Sequence, residues 1–140
     1  MISIRPALEN DIEALCTLDD IARLEDERRE FIRREVVSGN CFVAVIDGTV
    51  VGYGVLNYTF YDNGCIDMLY IHSDYRRRGV GSALVRHMES HCRTPKLFTS
   101  TNRSNLSMQS LLIQLGYEPS GVIHNLDEGD PELVYFKRVR

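Results

Sequence analysis

Apolar and polar positions along the chain alternate between the two-residue period of strands and the three-to-four-residue period of helices. Ile2-Ser3-Ile4-Arg5 alternates and stops at Pro6, which predicts a first strand with Arg5 toward solvent. Asn10-Asp11-Ile12-Glu13 has the form of an N-cap with a glutamate three residues on. It opens a helix whose inner face uses Ile12, Leu15, Cys16 and Leu18. Glu25 to Val37 predicts a second helix, with Phe31, Ile32 and Val36 as its apolar contacts. Its Glu25–Arg29 and Glu30–Arg34 pairs stand four apart and each contributes a few tenths of a kcal/mol. After Ser38-Gly39-Asn40, Cys41 to Ile46 is too uniformly apolar for a strand with a wet face, and Asp47-Gly48 is a two-residue hairpin signal before Thr49 to Leu56. Gly52 and Gly54 mark a bulge or a close backbone contact within that strand. Tyr58, Phe60 and Tyr61 end it near a turn at Asp62-Asn63-Gly64.

The stretch Met68 to Val85 reads as a buried strand, a basic turn with two glycines, and a helix on which Val80, Leu84, Met88 and Cys92 recur every four residues beside Ala83. A glycine-bearing turn that feeds a helix N-terminus leaves backbone N–H groups without intrahelical partners, and the helix dipole adds to their pull on an anion. Gly79 and Gly81 permit close approach and positive φ, and Arg76, Arg77 and Arg78 bring guanidinium charge to the same place. Phosphate is expected to bind here. The same residues also suit a plain strand-to-helix turn. There is no GxxxxGK[ST] and no GxGxxG, so the magnesium-dependent P-loop and the dinucleotide fingerprint are both missing.

Downstream, Thr94-Pro95 closes the helical segment and Lys96 to Thr101 predicts a short strand. Asn102 to Asn105 supplies caps for a helix with Met108, Leu111, Leu112 and Leu115 inside, and Gly116 closes it. Tyr117 to Leu126 and Leu133 to Val139 read as a last pair of strands joined by the acidic turn Asp127-Glu128-Gly129-Asp130-Pro131-Glu132. The order of elements predicts an α/β (α+β) fold: a mixed, mostly antiparallel sheet of about six to seven strands flanked by about four helices.

Leu69-Tyr70-Ile71-His72-Ser73-Asp74-Tyr75-Arg76-x-x-Gly79-x-Gly81-x-Ala83-Leu84 resembles the signature of the Gcn5-related N-acetyltransferases, whose coenzyme A loop reads Arg or Gln, two residues, Gly, one residue, Gly or Ala. Asn105-x-x-Met108-x-x-Leu111-Leu112-x-x-x-Gly116-Tyr117 is similar to the next helix of that family and its closing Gly-aromatic pair, so the resemblance extends over essentially the whole chain. It implies an acetyl-CoA-dependent N-acyltransferase and a single domain over residues 1–140. It also implies that the strand backbone at Leu69, Tyr70 and Ile71 binds the pantetheine arm. The loop Arg76, Arg77, Arg78, Gly79, Val80, Gly81 and Ser82 would hold the pyrophosphate, and Asn105 would contact the coenzyme; an ordinary helix cap is the other reading of Asn105.

An amine must be neutral to attack a thioester, and holding a lysine-like amine deprotonated near pH 7 costs roughly 4–5 kcal/mol from its reference pKa of about 10.4. A base is therefore useful. Asp67 is the first candidate, because the family often places its carboxylate on this strand, and an apolar setting would raise its pKa. Tyr70 and His72 are the alternatives, either as catalytic groups or as half-buried packing at the strand end. Many members carry a tyrosine after the leucine of the second motif, where it protonates the departing thiolate. Here Leu112 stands at that position, which leaves solvent, Ser110 or Tyr117 as proton donor. Asp127, Glu128 and Asp130 either form a solvated hairpin tip or attract a polycationic amine such as a polyamine, an aminoglycoside or a basic peptide.

Composition narrows the setting. With 140 residues, 44% hydrophobic and 26% charged, the chain is ordinary globular material of one-domain size. A formal net charge of −4 argues against a nucleic-acid partner. No apolar run reaches the length of a membrane span and the N-terminus lacks a signal pattern, so a cytoplasmic protein without a membrane partner is expected. Cys16, Cys41, Cys65 and Cys92 form no CxxC pair and fit reduced thiols better than a metal site or disulfides, so no metal is called for; acetyl-CoA is the cosubstrate that the resemblance implies. The expected partner is a small-molecule or peptide amine, and a homodimer is compatible with the sequence.

Overall fold

The computed structural model describes residues 1–140. Seven strands form one mixed sheet in the order β1-β2-β3-β4-β5-β7-β6. They are β1 (Ile2–Pro6), β2 (Cys41–Ile46), β3 (Thr49–Phe60), β4 (Asn63–Ile71), β5 (Lys96–Asn102), β6 (Glu118–Ile123) and β7 (Glu132–Arg138). Four helices accompany them: α1 (Ile12–Leu18), α2 (Asp26–Val37), α3 (Val80–His91) and α4 (Leu106–Gln114). The chain gathers into two compact units, Met1–Leu56 with Met68–Met88, and Asn57–Asp67 with Glu89–Arg140.

In the first unit β1, β2 and the start of β3 pair antiparallel. Asp47 and Gly48 both adopt positive φ, the turn that the right-handed twist of a two-residue hairpin requires. The register shifts between Ala44 and Val45 opposite the Gly52 region of β3, which is the bulge expected from the glycines. Leu15, Ala22, Ile32, Val36, Cys41, Val43, Tyr53 and Val55 form the core, with Met68 and Tyr70 packed against it. Two expectations for the helices change. Asp11, not Asn10, organises the start of α1, accepting from the Leu8 N–H at 2.7 Å and from both Arg5 terminal nitrogens at 2.8 and 3.0 Å. On α2 the acid–arginine contacts are Asp26–Arg29 and Glu30–Arg33, three apart, and Arg34 leans on Glu35. Arg29 is drawn away from Glu25 because it also bonds the Ala22 carbonyl.

In the second unit β4 pairs in parallel with β5 over three residues, Gly64 to Ile66 with Leu97 to Thr99, and β7 lies antiparallel between β5 and β6. The β3–β4 turn falls at Tyr61-Asp62, both at positive φ, one step before the expected Asp62-Asn63-Gly64; Asn63 and Gly64 belong to β4. Gly64 has a steric reason for being there, since a Cβ on it would lie 2.4 Å from the Cys92 sulfur. Glu89 gathers the Tyr117 hydroxyl at 2.8 Å and the Lys137 ammonium at 3.0 Å. All four cysteines are free thiols. No helix is long and apolar enough to cross a membrane.

Candidate active site

The turn between β4 and α3 is built by local bonds. His72 N–H donates to the Val51 carbonyl at 2.9 Å, and the Arg76 Nε donates to the Ile71 carbonyl at 3.0 Å, so the chain leaves β4 at a fixed angle. Ser73–Tyr75 make a 3-10 turn whose Asp74 N–H donates to His72 Nδ1 at 3.1 Å. Arg77 and Gly79 then take positive φ, +63° and +82°. Gly81 does not, because it already lies in the first turn of α3. The Ala83 N–H closes onto the Gly79 carbonyl at 3.0 Å, which makes Gly79 the residue just outside the helix and leaves the amides that follow it without partners inside α3. Residues Arg76 to Gly79 are exposed, while Val80 and Leu84 anchor α3 in the core. The geometry is that of a helix N-terminus open to an anion, flanked by guanidinium groups.

Behind the turn, Tyr70 is held on three sides. Its ring stacks on Tyr53 with centroids 6.2 Å apart, the Arg76 guanidinium lies 5.9 Å from its centroid, and its hydroxyl oxygen accepts from the Asp20 N–H at 3.1 Å. Tyr53 in turn donates to Asp19, whose carboxylate also accepts from Arg28 and from the N–H groups of Ile21 and Ala22. Burial, then the bond to Asp19, pushes the Tyr53 phenol well above its usual range. His72 Nδ1 is occupied by the Asp74 N–H, which assigns the ring proton to Nε2 and leaves the neutral imidazole no free lone pair.

In the second unit, Asp67 is exposed and accepts from Asn57 Nδ2 at 2.9 Å. The burial expected of it is therefore absent: its strand is apolar, but this position faces water. Asn105 caps α4, its side-chain oxygen accepting from the Met108 N–H at 3.1 Å and the Ser107 hydroxyl at 3.2 Å. In the acidic turn the carboxylates divide by role. Asp127 accepts from Asn102 at 2.8 Å and Asp130 accepts from the Ser104 hydroxyl at 2.6 Å, so they tie the turn to the end of β5 and to the segment leading into α4, whereas Glu128 is exposed. An open depression of about 330 Å³ is lined by Asp127, Glu128 and Asp130 with Arg103 and His124. The Tyr117 hydroxyl proton is committed to Glu89, and burial pushes that phenol's pKa upward, so Tyr117 is a poor proton donor as it stands.

The sequence profile of the Acetyltransferase (GNAT) family matches residues 8–117. The chain belongs to that family. Its fold superposes on an acetyltransferase of the GNAT family from Bacillus cereus ATCC 10987 with a TM-score of 0.93 and 33% identity, covering 99% of this chain and 97% of the other. A protein of Salmonella typhimurium assigned as an acetyltransferase, solved with its cofactor acetyl-CoA, shares the fold at 16% identity with a TM-score of 0.80, covering 99% and 94% of the two chains. The ribosomal-protein-alanine N-acetyltransferase from Brucella melitensis does so at 20% identity with a TM-score of 0.78, covering 97% and 99%. No curated protein matches this chain.

Within the GNAT frame, Leu112 is the informative departure. It is wholly buried in α4, so its side chain fills core volume. Asn57 and Thr59, beside Asp67, and the Asp19–Tyr53 pair, behind Tyr70, are the groups that the sequence did not single out. A lone asparagine between Leu56 and Tyr58 in an apolar strand is the one local signal that pointed to Asn57. The Asp19–Tyr53 bond spans 34 residues and has no local signature.

Proposed function

We propose that this GNAT protein transfers the acetyl group of acetyl-CoA to a primary amine by direct attack in a ternary complex. One observation carries the reading: the β4-to-α3 turn, with Gly79 at φ +82° and Arg76 to Gly79 exposed, opens the N-terminus of α3 to a pyrophosphate. The Salmonella typhimurium relative, which holds acetyl-CoA on the same fold, supports it. The β5 ladder ends at Ile66, so the following backbone of β4, at Leu69, Tyr70 and Ile71, serves the amide groups of the pantetheine arm. Asn105 lends its side-chain amide to the coenzyme while its oxygen caps α4.

The chemistry balances simply. The amine nitrogen bonds to the thioester carbonyl carbon, the carbon–sulfur bond breaks, the amine proton passes to Asp67 directly or through water, and the coenzyme leaves as thiolate. A thiol with a reference pKa of about 8.5 leaves without an acid, and solvent supplies the proton that a tyrosine at position 112 would give. The acceptor is a small-molecule or peptide amine, and Asp127, Glu128 and Asp130 favour a cationic one. Calorimetry with acetyl-CoA followed by thiol release across a panel of spermidine, an aminoglycoside and a basic peptide tests the reading. Absence of binding heat with folded protein would remove it.

Leu112 favours a second reading, a coenzyme-binding module without turnover. The same panel separates the two, since the module binds acetyl-CoA and releases no thiol.

A further inference from the structure

Asn57 is one of the few buried polar side chains in the protein, with 4% of its surface exposed, yet it donates to a carboxylate that is itself in water. The direction of its amide is fixed by Thr59. The Thr59 hydroxyl lies 2.9 Å from one end of the carboxamide and the Thr59 backbone N–H, which only donates, faces the same atom at 3.4 Å; that atom is therefore the oxygen. The opposite end, Nδ2, then points at Asp67 Oδ2 at 2.9 Å as a donor. An exposed aspartate has no need of this bond for solvation, because water would serve its oxygens equally well. What the bond supplies is a fixed rotamer.

We propose that Asn57, oriented by Thr59, is the positioning residue for the Asp67 base; the inference rests on the reading of Asp67 given above. The chain Thr59–Asn57–Asp67 holds one carboxylate oxygen and presents the carboxylate to the amine proton in a single orientation. Thr59 and Asn57 on β3 carry no charge, and Leu97, Phe98 and Thr99 of β5 carry none opposite the paired part of β4. A titratable neighbour is the Cys65 thiol on the same strand, pushed up to about 12 chiefly by burial and secondarily by the charge of Asp67, so it stays neutral near pH 7.

The test reads the orientation of the Asp67 side chain. Its signals are assigned by their loss in Asp67→Asn, and the χ1 couplings of Asp67 are compared in the parent, Asn57→Leu and Thr59→Val proteins. The parent is expected to show one rotamer, Asn57→Leu, which removes the donor, averaged couplings, and Thr59→Val the same to a lesser degree because the Thr59 N–H still faces the Asn57 oxygen. With acetyl-CoA and the best amine of the panel, Asn57→Leu lowers kcat about tenfold with the KM for acetyl-CoA unchanged. A single Asp67 rotamer kept in both Asn57→Leu and Thr59→Val overturns the positioning role. Full turnover in Asp67→Asn overturns the base assignment instead, and the positioning role with it. If no amine turns over, the couplings decide.

Discussion

Tyr53 donates its hydroxyl proton to the Asp19 carboxylate at 2.6 Å, and both residues are completely buried. The same carboxylate oxygen accepts from Arg28 at 2.7 Å, and the other accepts from the N–H groups of Ile21 and Ala22 at 2.9 and 3.2 Å. The connection between α1 and α2 is thus a turn wrapped on one buried charge, and Tyr70 leans on it through the Asp20 N–H. Tyr53→Phe leaves the charge with its other three donors and is expected to cost about 1–3 kcal/mol in chemical denaturation. Asp19→Ala strands Arg28 and two amides together and is expected to cost about 3–5 kcal/mol. Equal losses in the two variants would mean that Arg28 and the amides contribute nothing.

The protein's stability is expected to fall at both ends of the pH scale, with the cause of each fall identified. Burial pushes the Cys41 and Cys65 thiols up to about 12, above the unfolded value of about 8.5. A raised pKa gives stability that is complete below the unfolded value and disappears as pH climbs toward the folded one. Thiol-linked stability therefore starts to decline near pH 9 and is spent by about pH 12, with the buried Tyr53 and Tyr117 phenols adding to the loss above about pH 10. Asp11 behaves oppositely. Its bonds from Arg5 hold its carboxyl below the usual range, so its contribution is present above about pH 4 and is lost as pH falls further. Denaturation midpoints measured against pH should flatten on the alkaline side in Cys41→Ala and on the acid side in Asp11→Asn.

What the sequence made legible was whatever is local. The Asp47-Gly48 turn, the α3 face of Val80, Leu84 and Met88, and the Gly116 stop follow from backbone sterics and periodicity within a few residues. The misplaced details were decided by partners elsewhere. Glu25–Arg29 does not form because Arg29 reaches back to Ala22, and Asn10 does not cap α1 because Asp11 is recruited by Arg5. The β3–β4 turn sits at Tyr61-Asp62, a pair with no glycine, because Gly64 is held at the one position where Cys92 leaves no room for a side chain. At the candidate site the basic turn could be read directly, whereas the exposure of Asp67 could not: β4 is apolar on average, and alternation alone does not say which of its positions faces water.

Gly52 and Gly54 differ in what stands opposite them. A Cβ on Gly52 would lie 2.8 Å from the Tyr70 carbonyl oxygen, part of a strand that cannot shift without disturbing the bonds that set the turn. On Gly54 it would lie 2.6 Å from the terminal methyl of Met88, a side chain that can rotate away. Gly52→Ala is therefore expected to be the costlier change, by about 1 kcal/mol or more, and to weaken acetyl-CoA binding as well. Thermal melts with and without coenzyme compare the two. A larger loss in Gly54→Ala would show that Met88 is the more rigid neighbour.

Leu112→Tyr asks whether the missing hydroxyl can be restored. Leu112 is fully buried, so the larger ring must displace its neighbours, at an expected cost of about 1–3 kcal/mol. On the proposed mechanism, in which solvent protonates the thiolate, turnover per folded molecule is expected to change little. A many-fold rise in kcat with unchanged acetyl-CoA binding would instead show that protonation limits the native enzyme.

Gly79 gives a way to separate backbone strain from ligand approach. Its φ of +82° disfavours any side chain, but a Cβ there meets nothing within 4 Å in the protein. Gly79→Ala should therefore lose only about 1 kcal/mol of stability, the cost of holding a non-glycine residue in the left-handed region. A pyrophosphate seated on the α3 N-terminus would meet that methyl directly, so acetyl-CoA affinity is expected to fall at least about tenfold, more than the strain alone would give if the coenzyme did not touch this residue. Arg77→Ala, at positive φ but two residues further out, removes charge without adding bulk at the helix end. It is expected to weaken binding less, and its effect should shrink as salt is added. Calorimetry on both variants at two ionic strengths distinguishes a steric loss, which salt leaves alone, from an electrostatic one. If Gly79→Ala binds acetyl-CoA as tightly as the parent, the pyrophosphate does not sit at this turn.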